Sequence, residues 1–201
     1  MQITAQMVKQ LREATSAGIL DCRKALVATD GDFEQAVDHL REKGLAQAVK
    51  RMSRAANDGL VVSYIHAGGR VGTLVEVNCE TDFVARTDEY KALVDEIAMQ
   101  IAAMSPRYVK REDVPQEIIE HERELYRARS IADGKPERII DRIVKGRIEK
   151  FYSEVCLLEQ EYIRDSDKTI GELVKEKIAI MGENIVVRRF ARFALGEEGE
   201  E

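Results

Sequence analysis

Cysteine is scarce in this chain, and membrane spans and excess positive charge are missing. Only three cysteines occur in 201 residues, Cys22, Cys79 and Cys156. The number is odd and there is no C-x-x-C, which argues against a disulfide framework and for a reducing compartment. No apolar run approaches the roughly 18 residues that a membrane span needs. The N-terminal MQITAQMVKQLREA has no apolar core of signal-peptide length. The expectation is a soluble, cytoplasmic protein with no membrane partner. Acidic residues number 37 against 31 Lys and Arg, for a formal net charge of −6. A general nucleic-acid binder needs a basic patch to displace counterions, so direct nucleic-acid contact is not expected. A partner that itself handles nucleic acid remains compatible with this charge.

Catalytic chemistry is absent as well. The three histidines are His39, His66 and His121. HEREL at 121–125 begins like a zinc-protease motif but carries Leu125 where the second histidine must stand. Cys79 neighbours Glu80 rather than a cation, which does not favour a thiolate. GGRVG has no Lys-Ser/Thr and opens no helix, so it is no phosphate loop. No nucleophile, base and orienter fall together. The expectation is a protein that is not an enzyme and needs neither cofactor nor metal.

What is present is a globular composition, 44% apolar and 34% charged, with a change of hydrophobic period along the chain. Residues 1–55 read as helices. Thr4 can cap a helix bearing Met7, Val8, Leu11 and Ala14. A second helix runs from about Leu20 to Ala28. A third, capped by Asp32, carries Phe33, Ala36, Val37 and Leu40 and is expected to end at Gly44. A basic, Ala-rich connector leads to Asn57-Asp58-Gly59, where the domain boundary is placed. Residues 1–55 then form a three-helix bundle with its connector, and residues 56–201 an α+β core. In that core the period falls to 2. Two β-rich runs flank Ala67-Gly68-Gly69-Arg70, a hairpin signal. Val71, Thr73, Val75 and Val77 face one way, and Leu74 and Glu76 the other. A helix with the stripe Tyr90, Leu93, Val94, Ile97, Ala98, Ile101 and Met104 follows. Residues 112–160 read as a charged helical hairpin turning at Asp133-Gly134-Lys135. A last helix runs from about Thr169 to Met181, and a closing strand has Ile185, Val187, Ala191, Phe193 and Leu195 on one face. The whole is an α+β fold with a three-stranded antiparallel sheet covered by helices.

One stretch resists this reading. In NCETDFVARTDEY, residues 78–90, a large aromatic follows an acid at a strand-to-helix junction, where small polar residues are usual. VEVNCETDFVAR at 75–86 resembles the signature of the elongation factor Ts family. LREATSAGILDCRKAL at 11–26, GKPERIIDRIVKGRIEKFYSEVCLLEQ at 134–160 and GENIVVRRF at 182–190 support the resemblance in family order.

The resemblance implies a guanine-nucleotide exchange factor that binds elongation factor Tu in its GDP form and promotes GDP release by disturbing the magnesium and phosphate site. Carried over, Asp82 and Phe83 are the intruding wedge, and Thr81 and Val84 hold its turn. The N-terminal bundle would grip the partner through Arg12, Ile19 and Leu20. Many members carry Met-Met where this chain has Ile19-Leu20. The chain is a short form with a single core, which implies a homodimer whose two-fold interface lies in the sheet region. The alternative is a non-enzymatic binding adaptor, because the three-helix N-terminus is similar to a ubiquitin-associated bundle. The wedge motif and the closing strand argue against it.

Overall fold

The computed structural model describes residues 2–197. The last four residues of the acidic tail, expected as a solvated end, lie outside them. Three helices come first: α1 (Ala5–Thr15), α2 (Ile19–Ala28) and α3 (Phe33–Arg51). A hairpin of β1 (Asp58–Ile65) and β2 (Val71–Cys79) leads to a single helical turn, α4 (Asp82–Ala85), and to α5 (Asp88–Met104). A helical pair, α6 (Gln116–Ala132) and α7 (Glu137–Val155), precedes a small hairpin of β3 (Glu161–Tyr162) and β4 (Asp165–Thr169). Helix α8 (Ile170–Met181) and strand β5 (Ile185–Ala194) close the chain. The main sheet is three-stranded and antiparallel, in the order β1-β2-β5. The fold is α+β, as the periodicity predicts.

The chain forms two compact units, each assembled from separated segments. The first comprises the described residues up to Gly59, Asn78–Tyr90 and Val174–Val186. Its bundle buries Val8, Leu11, Cys22, Ala25, Leu26, Ala36 and Leu40. Thr4 caps α1 by accepting from Met7 N, and Asp32 caps α3 by accepting from Gln35 N. Here one expectation is corrected. Gly44 does not end α3, which continues to Arg51. A Cβ at Gly44 would stand 3.2 Å from the Ala179 Cβ on α8. The glycine therefore permits a close helix–helix approach, and packing supplies what its poor helix propensity lacks.

The second unit comprises Leu60–Val77, Lys91–Leu173 and the described residues from Val187 onward. The β1–β2 turn takes left-handed conformations at Gly68 and Gly69, which glycine adopts without steric cost. In β2 the expected alternation holds: Thr73, Val75 and Val77 are buried and Leu74 is exposed. Thr73 Oγ1 donates to Ala98 O, so α5 lies over that face. Helices α6 and α7 pack on each other through Ile140, Val144 and Ile148.

Two further readings need correction in this unit. The β3–β4 hairpin was not expected. It pairs Glu161 with Thr169 and Tyr162 with Asp165, in a charged stretch without alternation. A buried glutamine holds it: Gln100 Nε2 donates to Glu161 O, and Gln100 Oε1 accepts from Ile163 N. The closing strand also changes face. Ile185 and Val187 are buried, Arg188 and Arg189 are both exposed, and Ala191 and Phe193 are then exposed in turn. Arg192 Nε donates to Ala102 O on α5, so Arg192 occupies the covered face. Ala191, Phe193 and Leu195 therefore lie opposite to the expected side, and Phe193 is 75% exposed.

Candidate partner-binding site

The residues singled out by the resemblance all belong to the first unit. Strand β2 ends at Cys79, and α4 begins three residues later. Val84 and Asp82 are half-buried and Ala85 is buried, which seats the turn. Phe83 is 78% exposed. An apolar ring held out on a one-turn helix gains little from the surrounding core. It has the profile of an anchor awaiting a complementary pocket.

The turn is held from several sides. Cys79 Sγ donates to Thr81 O at 3.1 Å. Burial pushes the Cys79 thiol up from its ordinary pKa, with the Tyr90 hydroxyl hydrogen-bonded beside it. A thiol that stays protonated keeps its donor. Thr87 Oγ1 donates to Val84 O and accepts from Tyr90 N, joining the wedge to the start of α5. Asp82 pairs with Arg86 at 2.6 Å, one helical turn away.

The strongest ties come from a segment to which sequence reasoning assigned only a helix end and a strand. Glu183 Oε2 accepts from the backbone N–H groups of Glu80 (3.1 Å) and Thr81 (3.0 Å), and Glu183 Oε1 accepts from Thr81 Oγ1 at 2.6 Å. Its neighbour Asn184 donates from its backbone N to Glu80 Oε1 at 2.7 Å. The Asn184 side chain donates to the carbonyls of Met52 and Arg54, in the connector after α3.

The bundle residues are grouped differently. Arg12 and Ile19 line one shallow cleft of about 440 Å³ with Ile3, Val8, Lys9 and Arg23. Leu20 lies outside that lining. Ile19 is 56% exposed and Leu20 72%. Consecutive positions on a helix do not share a face, yet neither side chain enters the bundle core. The surface thus combines adjacent bulky apolar groups with a basic, partly apolar cleft.

A family profile described as Elongation factor TS matches residues 1–197. The chain belongs to the elongation factor Ts family. It is accordingly a translation elongation factor. It is 63% identical over 195 residues to the elongation factor Ts of Thermoanaerobacter sp. strain X514, covering 97% of this chain and 96% of that protein. The Caldanaerobacter subterraneus factor is 62% identical over 195 residues, covering 97% and 98% of the two chains. The Geobacter sulfurreducens factor is 59% identical over 197 residues, covering 98% and 91%. Thr81-Asp82-Phe83-Val84, the stretch on which the resemblance centres, forms the N-cap and first residues of α4. Among the described residues no helix is long and apolar enough to cross a membrane.

Proposed function

We propose that the protein is a guanine-nucleotide exchange factor for elongation factor Tu, acting in the cytoplasm by binding alone and without enzymatic chemistry. The observation that carries this reading is the exposure of Phe83 on a turn fastened to its own unit at Cys79, Thr81 and Val84. The cleft bearing Arg12 and Ile19, with Leu20 beside it, docks the partner's nucleotide domain. Phe83 then enters an apolar pocket near the magnesium site. Asp82 brings a carboxylate to the groups that organise the ion.

The energetics follow from linkage. A factor that prefers the nucleotide-free partner must weaken GDP by the same factor by which GDP weakens it. No bond is made or broken. Phe83 lowers the GDP affinity only to the extent that its pocket is better formed in the nucleotide-free state. Raised magnesium restores the ion and opposes release.

The factor acts as a homodimer through the open face of its sheet. Val61, Ile65, Leu74, Phe193 and Leu195 are exposed there, and Gly72 leaves room for Ile65, whose Cδ1 would stand 2.8 Å from an added Cβ. An apolar sheet face of this kind suits a self-complementary two-fold contact with a second copy.

The test is release of fluorescent GDP from elongation factor Tu in the presence of catalytic amounts of this protein. Acceleration with turnover supports the reading. Unchanged release at micromolar factor refutes it.

A further inference from the structure

We infer that Glu183 is a positioning residue for nucleotide exchange, holding the Thr81–Val84 turn in the geometry from which Phe83 and Asp82 reach the partner. This inference rests on the exchange reading above. Helix α4 has four residues, too few to be stable by itself. Thr81 occupies its N-cap position, where a threonine hydroxyl ordinarily accepts from the first helical N–H groups. Here it makes no such cap. Its hydroxyl instead donates to Glu183, a residue more than a hundred positions away. The start of the turn is thus fastened from outside, in addition to its local ties to Cys79, Thr87 and Arg86.

One carboxylate gathers three donors, the N–H groups of Glu80 and Thr81 and the Thr81 hydroxyl. Hydrogen bonds to a carboxylate are short and strong, and two acceptor oxygens accommodate three donors without strain. The backbone leading into Phe83 is therefore fixed at two successive amides. Asn184 continues the tie. Through Glu80 Oε1 on one side and the carbonyls of Met52 and Arg54 on the other, it joins the wedge to the chain emerging from the bundle. Glu183 and Asn184 together set where Phe83 stands relative to the docking helices. A functional group held loosely by its supporting residues loses its effect while remaining present.

A purely structural role for Glu183 is the rival explanation, and a cycle of variants separates the two. Glu183→Ala removes both acceptor oxygens and with them all three hydrogen bonds. Glu183→Gln keeps the shape: its Oε1 can serve the two amides, and its Nε2 can donate to Thr81 Oγ1. At saturating factor, Glu183→Ala is expected to slow GDP release about tenfold, or ~1.4 kcal/mol, with a smaller change in the half-saturating concentration. Glu183→Gln is expected to restore most of the rate. Residues acting as one device are non-additive, so Phe83→Ala/Glu183→Ala should be no slower than Phe83→Ala alone. If Glu183→Ala fails to fold, Thr81→Val carries the same cycle, since it deletes the hydroxyl donor and keeps both amide bonds. Full activity of the deletion variant overturns the inference, and so does the same fold loss in both backgrounds. Wild-type factor that does not accelerate GDP release overturns the exchange reading itself, and Phe83→Ala that matches an active wild type overturns the wedge role of Phe83. Active wild type and impaired Phe83→Ala beside an unimpaired Glu183→Ala overturn the role of Glu183 alone.

Discussion

Truncating Phe83 to alanine should separate exchange from stability. The ring is 78% exposed. Full burial of a phenylalanine is worth about 1.5–3 kcal/mol, so the covered fifth contributes about 0.5 kcal/mol. In a chain of this size 1 kcal/mol moves the melting temperature by about 2–4 °C. Phe83→Ala should therefore lower it by about 1–2 °C. Leu26→Ala supplies the contrast within the same unit. Leu26 is fully buried in the bundle, and its truncation leaves a cavity costing about 2–5 kcal/mol. Exchange should respond in the opposite order. Loss of an interface anchor costs about 2 kcal/mol or more, roughly thirtyfold in an equilibrium constant. The assay is stopped-flow release of fluorescent GDP from elongation factor Tu, run beside thermal denaturation of each variant. Phe83→Ala should melt almost like wild type and exchange poorly. A midpoint that falls as far as that of Leu26→Ala, with normal exchange by the folded fraction, would refute the reasoning, because Phe83 would then be part of the core.

Other perturbations test other parts of the argument. Light scattering should give twice the chain mass for wild type. Phe193→Glu, which places a charge in the apolar sheet face, should give the monomer; a wild-type monomer that exchanges at full rate would remove the dimer from the mechanism. Gly44→Ile should destabilise the chain by about 1–3 kcal/mol, because a branched side chain cannot fit where α3 meets α8; a raised melting temperature would mean that helix propensity outweighs that contact. Cys22, Cys79 and Cys156 are buried. Burial pushes Cys79 up, and chiefly burial, with Glu159 nearby, pushes Cys156 up to about 12. A raised thiol pKa means less thiolate at a given pH, so a disulfide reagent at pH 8 should react slowly with the folded chain and fully in denaturant. Prompt reaction of Cys79 in the native protein would show that the turn opens readily.

What could be read from the sequence depended on whether the cause was local. The caps at Thr4 and Asp32 bond to amides three residues away, and the alternation in β2 follows from a sheet covered on one face by α5. The path of α3 through Gly44 was not legible, because glycine ordinarily stops helices and the Ala179 contact that overrides this comes from far along the chain. The β3–β4 hairpin had no periodic signal, since Gln100 holds it in place of an apolar face. The reversal at Arg188-Arg189 moved Phe193 across the sheet, because a slip of one residue exchanges the two faces.

The same distinction divides the candidate site. Phe83 stood out because it breaks the local rule for a strand-to-helix turn, and sites that serve a partner are where such rules fail. Glu183 obeys its local rule. A glycine followed by polar residues is how many helices end, and one acid among 37 carries no mark. Its significance comes from three donors contributed by a distant turn whose threonine makes no cap of its own. A wedge must present an apolar group that its own unit does not bury. Something other than burial has to hold it there, and polar ties from a distant segment can do so without covering the ring.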